Sequence, residues 1–416
     1  MIARRIAILF IAVFISISAW AQISIGDFIG SAVNDPEVKT FDQQVVYLKG
    51  KPYRLSPLQK MEFRYQNREI SPDMQRFGLR FNPANPWEVR NNNRYFQEYQ
   101  SSLSLEKEMA LKEALTERYY LIIDYLYYAG LKSLATESHK LISDQVSILE
   151  KQTASSFFDA DEYVELKVEQ TDKAVALEEI EFELLDLQQK IERVDAQAFQ
   201  KTIDWKWDGV MSVDRIRSVV DSLMLEAVRS SYLAYQQQKI KLAKSEYDLE
   251  KSNISIGYLQ TQFDKEDADE NRTPINIALG VTIPIVNPNK GDMTKKKLDA
   301  IEAEFDLEEA QVETQADQTV GKMKLDQLIE RHRALEVKVA DFQKSDLGRT
   351  LSTLKGGDPL ILVRFDQSLV KVKVLLLKMK RNILLSYIDY LASTDRLQQE
   401  PLINFFSPSL EQLSHP

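Results

Sequence analysis

The sequence predicts an α+β membrane protein made of two tandem repeats, each a β-hairpin followed by a long antiparallel helical hairpin. Three observations carry this. Residues 77–88, FGLRFNPANPWE, align without a gap with residues 279–290, LGVTIPIVNPNK, at an offset of 202 positions. In each copy the alternating segment ends at an Asn-Pro pair and runs into a long amphipathic stretch almost free of glycine and proline. In 274–285, every odd position from Ile275 to Ile285 is apolar, which is the period of a strand with one greasy face.

The first 21 residues read as a secretory signal. Arg4 and Arg5 precede the apolar run Ile6–Ile17, and Ala19-Trp20-Ala21 supplies the small-x-small cleavage pattern. About a dozen apolar residues fall short of the ~20 that span a bilayer, so Gln22 is expected to start the mature chain. The chain contains no cysteine, which excludes a cysteine-borne lipid anchor, disulfides and thiolate metal sites. With 63 acidic against 53 basic residues the net charge is −10, which argues against nucleic acid as a partner.

Repeat 1 is expected over 22–194. Its strands fall at about 58–66 and 75–83, where Met61, Phe63 and Tyr65 alternate with Glu62, Arg64 and Gln66, and Phe77, Leu79 and Phe81 alternate with Arg76, Gly78 and Arg80. A helical hairpin follows over about 88–194. Its first arm, free of proline to Thr153, would be on the order of 100 Å long at 1.5 Å per residue. Asp161 is expected to cap the returning arm. Within the first arm YYLIIDYLYYAG (119–130) is apolar nearly all round, so it must be covered on every side. A belt of extra helices can be built from 22–36, the inter-repeat equatorial segment 195–212 with Trp205 and Trp207, and the tail 393–416.

Repeat 2 is expected over 213–392. Strands at about 253–263 and 274–286 pair through the acidic loop 264–272, with Ile254, Ile256 and Tyr258 opposite the greasy strand. A second helical hairpin covers about 292–392. It turns at KGGDP (355–359), with Asp358 as cap and Pro359 at the first helical position. The segments leading into the two sets of strands differ in length: only about 23 residues separate Asp35 from Leu58, against about 40 from Asp214 to Ile254. An extended path through Gly50–Pro57 would make up the reach.

The lipid-facing side of the strands is expected to comprise Phe63, Tyr65, Phe77, Leu79, Phe81, Ile277, Leu279, Val281 and Ile283, with charges on the other side lining a watery interior. Four strands cannot sit in lipid with open edges, so several chains must close one barrel. His139, His332 and His415 are isolated, and neither a phosphate-binding loop nor a nucleophile elbow is present. Catalysis, a cofactor and a metal site are therefore not expected.

These features resemble the TolC-like outer-membrane efflux proteins over essentially the whole mature chain. The local signs are Asn34-Asp-Pro-Glu-Val38, similar to the family's Asn-x-Pro-Glu-aliphatic helix start, the two strand-to-Asn-Pro-to-helix junctions, and the turn at Gly357-Asp358. The resemblance implies a homotrimer in the bacterial outer membrane, with a 12-stranded barrel surrounded by lipid and a periplasmic α-barrel. It further implies a passive exit duct that docks onto a periplasmic adaptor (membrane fusion protein) and an inner-membrane pump. One departure concerns the closed tunnel end, where the family's Asp-Val-Leu-Asp-Ala is matched by Ile361-Leu-Val-Arg364-Phe365. The gate candidates at the two turns are accordingly Asp161, Glu165, Lys167, Asp358, Arg364 and Asp366, with Arg364 expected to pair with Asp366 or with a neighbouring protomer's carboxylate. The alternative is a periplasmic coiled-coil scaffold or adaptor without a membrane barrel, which would not require the alternating strand pairs.

Overall fold

The computed structural model describes residues 22–67, 70–153, 158–195, 198, 202–223, 230–269, 272–282, 289–344 and 359–413, the last from residue 363 on for side chains. The expected signal segment 1–21, Ile283, Asp358 and the side chain of Ile361 lie outside these. In chain order the elements are α1 (Ile25–Gly30), α2 (Pro36–Lys49), β1 (Leu58–Asn67), β2 (Gln75–Pro83), α3 (Pro86–Lys151), α4 (Ala160–Val194), α5 (Val213–Leu223), α6 (Ser231–Ser252), β3 (Gly257–Asp264), α7 (Lys265–Asp269), β4 (Ile275–Val281), α8 (Lys290–Lys344) and α9 (Pro359–Ser393). The chain divides into a strand unit, 37–109 with 230–314, and a helical unit formed by 1–36, 110–229 and 315–416.

In the strand unit the four strands form one antiparallel sheet in the order β1-β2-β3-β4, so two hairpins lie side by side and β1 and β4 are its edges. β3 begins at Gly257 rather than near 253. The preceding carbonyls are taken by asparagine side chains instead of a ladder: Asn85 Nδ2 donates to Ser252 O (2.8 Å) and Ile254 O (3.2 Å), and Asn289 Nδ2 to Asn253 O (2.7 Å). Gly257 then enters the sheet at φ +137°, where an added Cβ would lie 2.0 Å from the Gly280 carbonyl oxygen, so no other residue fits. The short lead-in of the first repeat is a 14-residue helix, α2, followed by an irregular link. Tyr53 anchors that link by stacking on Phe96 at 4.4 Å. α6 and α8 are held by Lys239–Asp306 (2.8 Å), Lys244–Glu304 (2.8 Å) and Lys296–Glu246 (2.6 Å). Ala300, Ala303 and Ala310 are buried on one face of α8, where small side chains permit close helix approach.

α3 runs for 66 residues. Asn85 Oδ1 accepts from Trp87 N (3.0 Å), and Pro86 takes the first helical position, where its missing N–H leaves no bond unmade. In the helical unit this rod is tied to α4 by Lys132–Glu181 (2.8 Å) and Lys167–Glu150 (2.8 Å). It is tied to α9 by Arg381–Asp124 (2.8 Å) and Lys373–Glu137 (3.0 Å).

The apolar segment of α3 is covered, but only partly by helices. Tyr119 meets Phe406 edge-on at 4.8 Å, donates to Ile403 O (3.2 Å) and accepts from Phe405 N (3.0 Å); burial pushes its phenol well above the ordinary value. Tyr125 meets Trp205 at 5.4 Å, and Trp205 in turn lies 5.2 Å from Phe28 of α1. Among the described residues the tail after Ser393 runs as turns and irregular chain, and the segment around Trp205 holds only a single 3-10 turn, Trp207–Gly209, rather than the expected helices. Their backbone groups find partners there, as in the Ile403–Gln412 bridge and Met211 N to Phe406 O (2.8 Å), so a helix is not needed to satisfy them.

Candidate functional site: a two-faced sheet and a charged helical turn

Register decides the faces of the sheet. The cross-strand rows Tyr65-Phe77-Phe263-Ile275, Phe63-Leu79-Thr261-Ile277 and Met61-Phe81-Leu259-Leu279 lie on one side, and Gly257-Val281 ends the set. Ile277, Leu279 and Val281 are 72%, 76% and 72% exposed in the single chain, and Phe63, Tyr65, Phe77 and Leu79 are also exposed; Phe81 is half-buried. Aromatic rings reinforce the rows, Tyr65–Phe77 at 5.2 Å and Phe63–Phe77 at 6.4 Å. An apolar surface this continuous across four strands marks a contact with something equally apolar.

The sequence reading of β3 needs correction. Of Ile254, Ile256 and Tyr258, only Tyr258 belongs to the strand, and it stands on the opposite, polar side; the apolar side is carried by Leu259, Thr261 and Phe263. Tyr258 lies there across Gly280, where an added Cβ would be 2.3 Å from the ring. The polar rows are Arg64-Gly78-Gln262-Asn276 and Glu62-Arg80-Gln260-Ala278, followed by Gln66-Arg76-Asp264.

At the first helical turn Asp161, Glu165 and Lys167 all lie in the opening turns of α4, with Asp161 and Glu165 exposed. The cap, however, is Asp159, whose Oδ1 accepts from Asp161 N (3.0 Å) and Glu162 N (3.1 Å). Asp161 and Glu162 thus fall in the first turn, where carboxylates favour the helix dipole. Arg364 and Asp366 are exposed on α9. Arg364 is ion-paired with Glu162, not with Asp366, because the opening turns of α4 and α9 face one another and Glu162 presents its carboxylate there. Lys167 is held at Glu150 and lies 5.6 Å over the Tyr163 ring.

The helical unit also holds a cavity of about 540 Å³ lined by Gly130, Trp207, Asp214, His332, Glu336 and Lys380, among others. Lys380 lies 4.2 Å over the Trp207 ring. Burial pushes the Lys380 ammonium below its ordinary value. It likewise pushes the His332 imidazole below its ordinary 6.5, against the opposing pull of Glu336, 3.4 Å away. A histidine whose proton affinity the fold lowers contributes less stability as pH falls below that ordinary value, because the unfolded chain takes up a proton more readily than the folded chain. The thermal midpoint is therefore expected to drop further between pH 7 and pH 5 in the wild type than in His332→Phe. Parallel curves for the two proteins would contradict this.

No family profile and no curated protein matches the sequence. Solved structures do match. CmeC, an outer-membrane channel of Campylobacter jejuni, aligns with a TM-score of 0.67 at 10% identity, over 93% of this chain and 87% of that one. The open state of the Neisseria gonorrhoeae MtrE outer-membrane channel aligns at 0.66 and 10%, over 90% of each. The Vibrio cholerae outer-membrane protein VceC aligns at 0.64 and 12%, over 89% of this chain and 96% of that one. With strands and helices in this order and nearly the whole of both chains superposed, the protein has the TolC-like fold of outer-membrane efflux channels.

Proposed function

We propose that this chain is one protomer of a trimeric outer-membrane exit duct, in which three four-stranded sheets close a 12-stranded barrel and the helical hairpins form a periplasmic tunnel. The observation that carries this reading is the sheet itself: one face apolar across all four strands, the other charged, and both edges unpaired among the described residues. Such a sheet is stable in lipid only when its edges meet other copies. Among the described residues no helix is long and apolar enough to cross a bilayer. Two exposed apolar stripes support self-association: Val164, Val168, Val175 and Phe182 on α4, and Leu298, Ile301, Phe305 and Val312 on α8. Both recur at three, four or seven residues, the spacing of a helix seam that a neighbouring helix covers.

In this reading the turns meet a periplasmic adaptor, and an inner-membrane pump supplies the cargo. A scaffold lacking a barrel would leave the apolar face of the sheet without a purpose. The decisive measurement is extraction: the protein is expected in the outer-membrane fraction, released by detergent only, as a trimer by light scattering. A monodisperse monomer in detergent-free buffer would sink the proposal.

The Arg364–Glu162 pair would brace the tunnel end. An exposed pair is worth only ~0–1 kcal/mol, but three symmetric copies can bias an opening equilibrium by a kcal/mol or two, enough for a several-fold change. Arg364→Glu, which sets two carboxylates against each other, is expected to raise single-channel conductance in a planar bilayer. Lys151→Glu is expected to change it little. Unaltered conductance in Arg364→Glu would place the gate elsewhere.

A further inference from the structure

The polar face of the sheet carries unbalanced charge. Lys60, Arg64, Arg76 and Arg80 stand there against Glu62 and Asp264, two positive charges in excess, although the chain as a whole is at −10. Glu62 is shared between Lys60 (2.7 Å) and Arg64 (3.1 Å), and Asp264 pairs with Arg76. Arg80 has no carboxylate partner among the described residues. Its guanidinium lies 3.6 Å over the Tyr258 ring, which attracts the cation without neutralising it. Two residues without side chains make room for this arrangement: Gly78 stands opposite Arg64, and Gly280 lies under Tyr258. The remaining neighbours, such as Gln262, Gln260 and Asn276, are uncharged.

We infer that this face forms a cationic collar inside the pore that favours multivalent anions, meaning solutes bearing several carboxylate, phosphate or sulfonate groups. The inference rests on the barrel reading above, which turns the polar face toward water. Guanidinium groups meet such anions through paired N–H donors. Fixed cations on a wall backed by apolar material focus their field into the lumen instead of losing it to solvent. Closure in three copies sets three Arg64 and three Arg80 side chains around one axis, at the level of two adjacent cross-strand rows.

The test uses the full-length, detergent-extracted protein and does not require an open gate. Pyrene trisulfonate binding is followed by fluorescence anisotropy. The dye is expected to bind the wild type and to weaken with added salt. The double variant Arg64→Gln with Arg80→Gln is expected to lose affinity several-fold, whereas Arg64→Lys with Arg80→Lys retains most of it and Lys151→Gln has no effect. No dye binding to the wild type, or binding that salt does not weaken, would overturn the collar without any variant, as would full dye affinity in the Gln double variant. Failure of the barrel reading would show separately, as a monomer that needs no detergent.

Discussion

Leu279→Arg is expected to remove the assembled protein from the outer membrane, while Ala278→Arg, one residue away, leaves it near wild-type abundance. Leu279 ends the row Met61-Phe81-Leu259-Leu279 and is 76% exposed in the single chain, so in a barrel it faces lipid. An arginine near the bilayer midplane costs ~2–4 kcal/mol, and the proposed trimer would incur that cost three times. Ala278 stands in the polar row beside Gln260, where a charged side chain remains in water. Trimer recovered from outer-membrane fractions on semi-native gels reads the difference. Equal loss in both variants would mean that the faces are inverted, since a slip of one residue exchanges them all.

Arg118→Met is expected to be the most destabilising single change in the helical unit. Arg118 is 1% exposed; Nε donates to Ser31 Oγ (3.0 Å), Nη1 to Ala114 O (2.9 Å) and to Asp35 (3.3 Å), and Nη2 also reaches Asp35. Burial pulls its guanidinium below the ordinary value, and Asp35 beside it opposes that pull. Removing one partner of a buried pair typically costs up to ~3–5 kcal/mol, and Arg118→Met also discards the bonds to Ser31 and Ala114. Adding Asp35→Asn should restore part of the loss, the signature of coupled residues. Thermal unfolding of the detergent-solubilised protein, followed by circular dichroism, measures both. A midpoint unchanged in Arg118→Met would refute the clamp.

The strand faces are legible in the sequence wherever alternation is carried by unambiguous residues. Phe63, Tyr65, Phe77, Leu79, Ile277, Leu279 and Val281 all share the side that period two assigns them. Alternation misleads at β3, because the Ser252, Asn253 and Ile254 carbonyls are held by the Asn85 and Asn289 side chains, and only Ile256 O, which accepts from Thr282 N (3.1 Å), prolongs the pairing with β4. Tyr258 adds to the error: its ring satisfies an apolar pattern yet serves as a seat for Arg80. The helical turn is legible as a charged region but not in its pairing. Glu162 and Arg364 are 202 residues apart, and no local signal links them. Asp161, the acid expected at the cap, lies two residues beyond Asp159, which provides it. His332 reads as one more histidine in a rod; its burial depends on α5, α9 and the Trp207 segment arriving from three other parts of the chain.

The edge positions of β1 and β4 also bear on how the protein comes to exist. If closure needs three chains, no single copy can complete its own sheet, and the slow step of biogenesis becomes an encounter whose rate climbs steeply with concentration. In the proposed duct, each chain on its way to assembly would carry a greasy, two-rimmed sheet through water, a form prone to sticking to any strand it meets. Its yield should therefore depend on holding chaperones, and halving its synthesis should reduce the finished product by more than half.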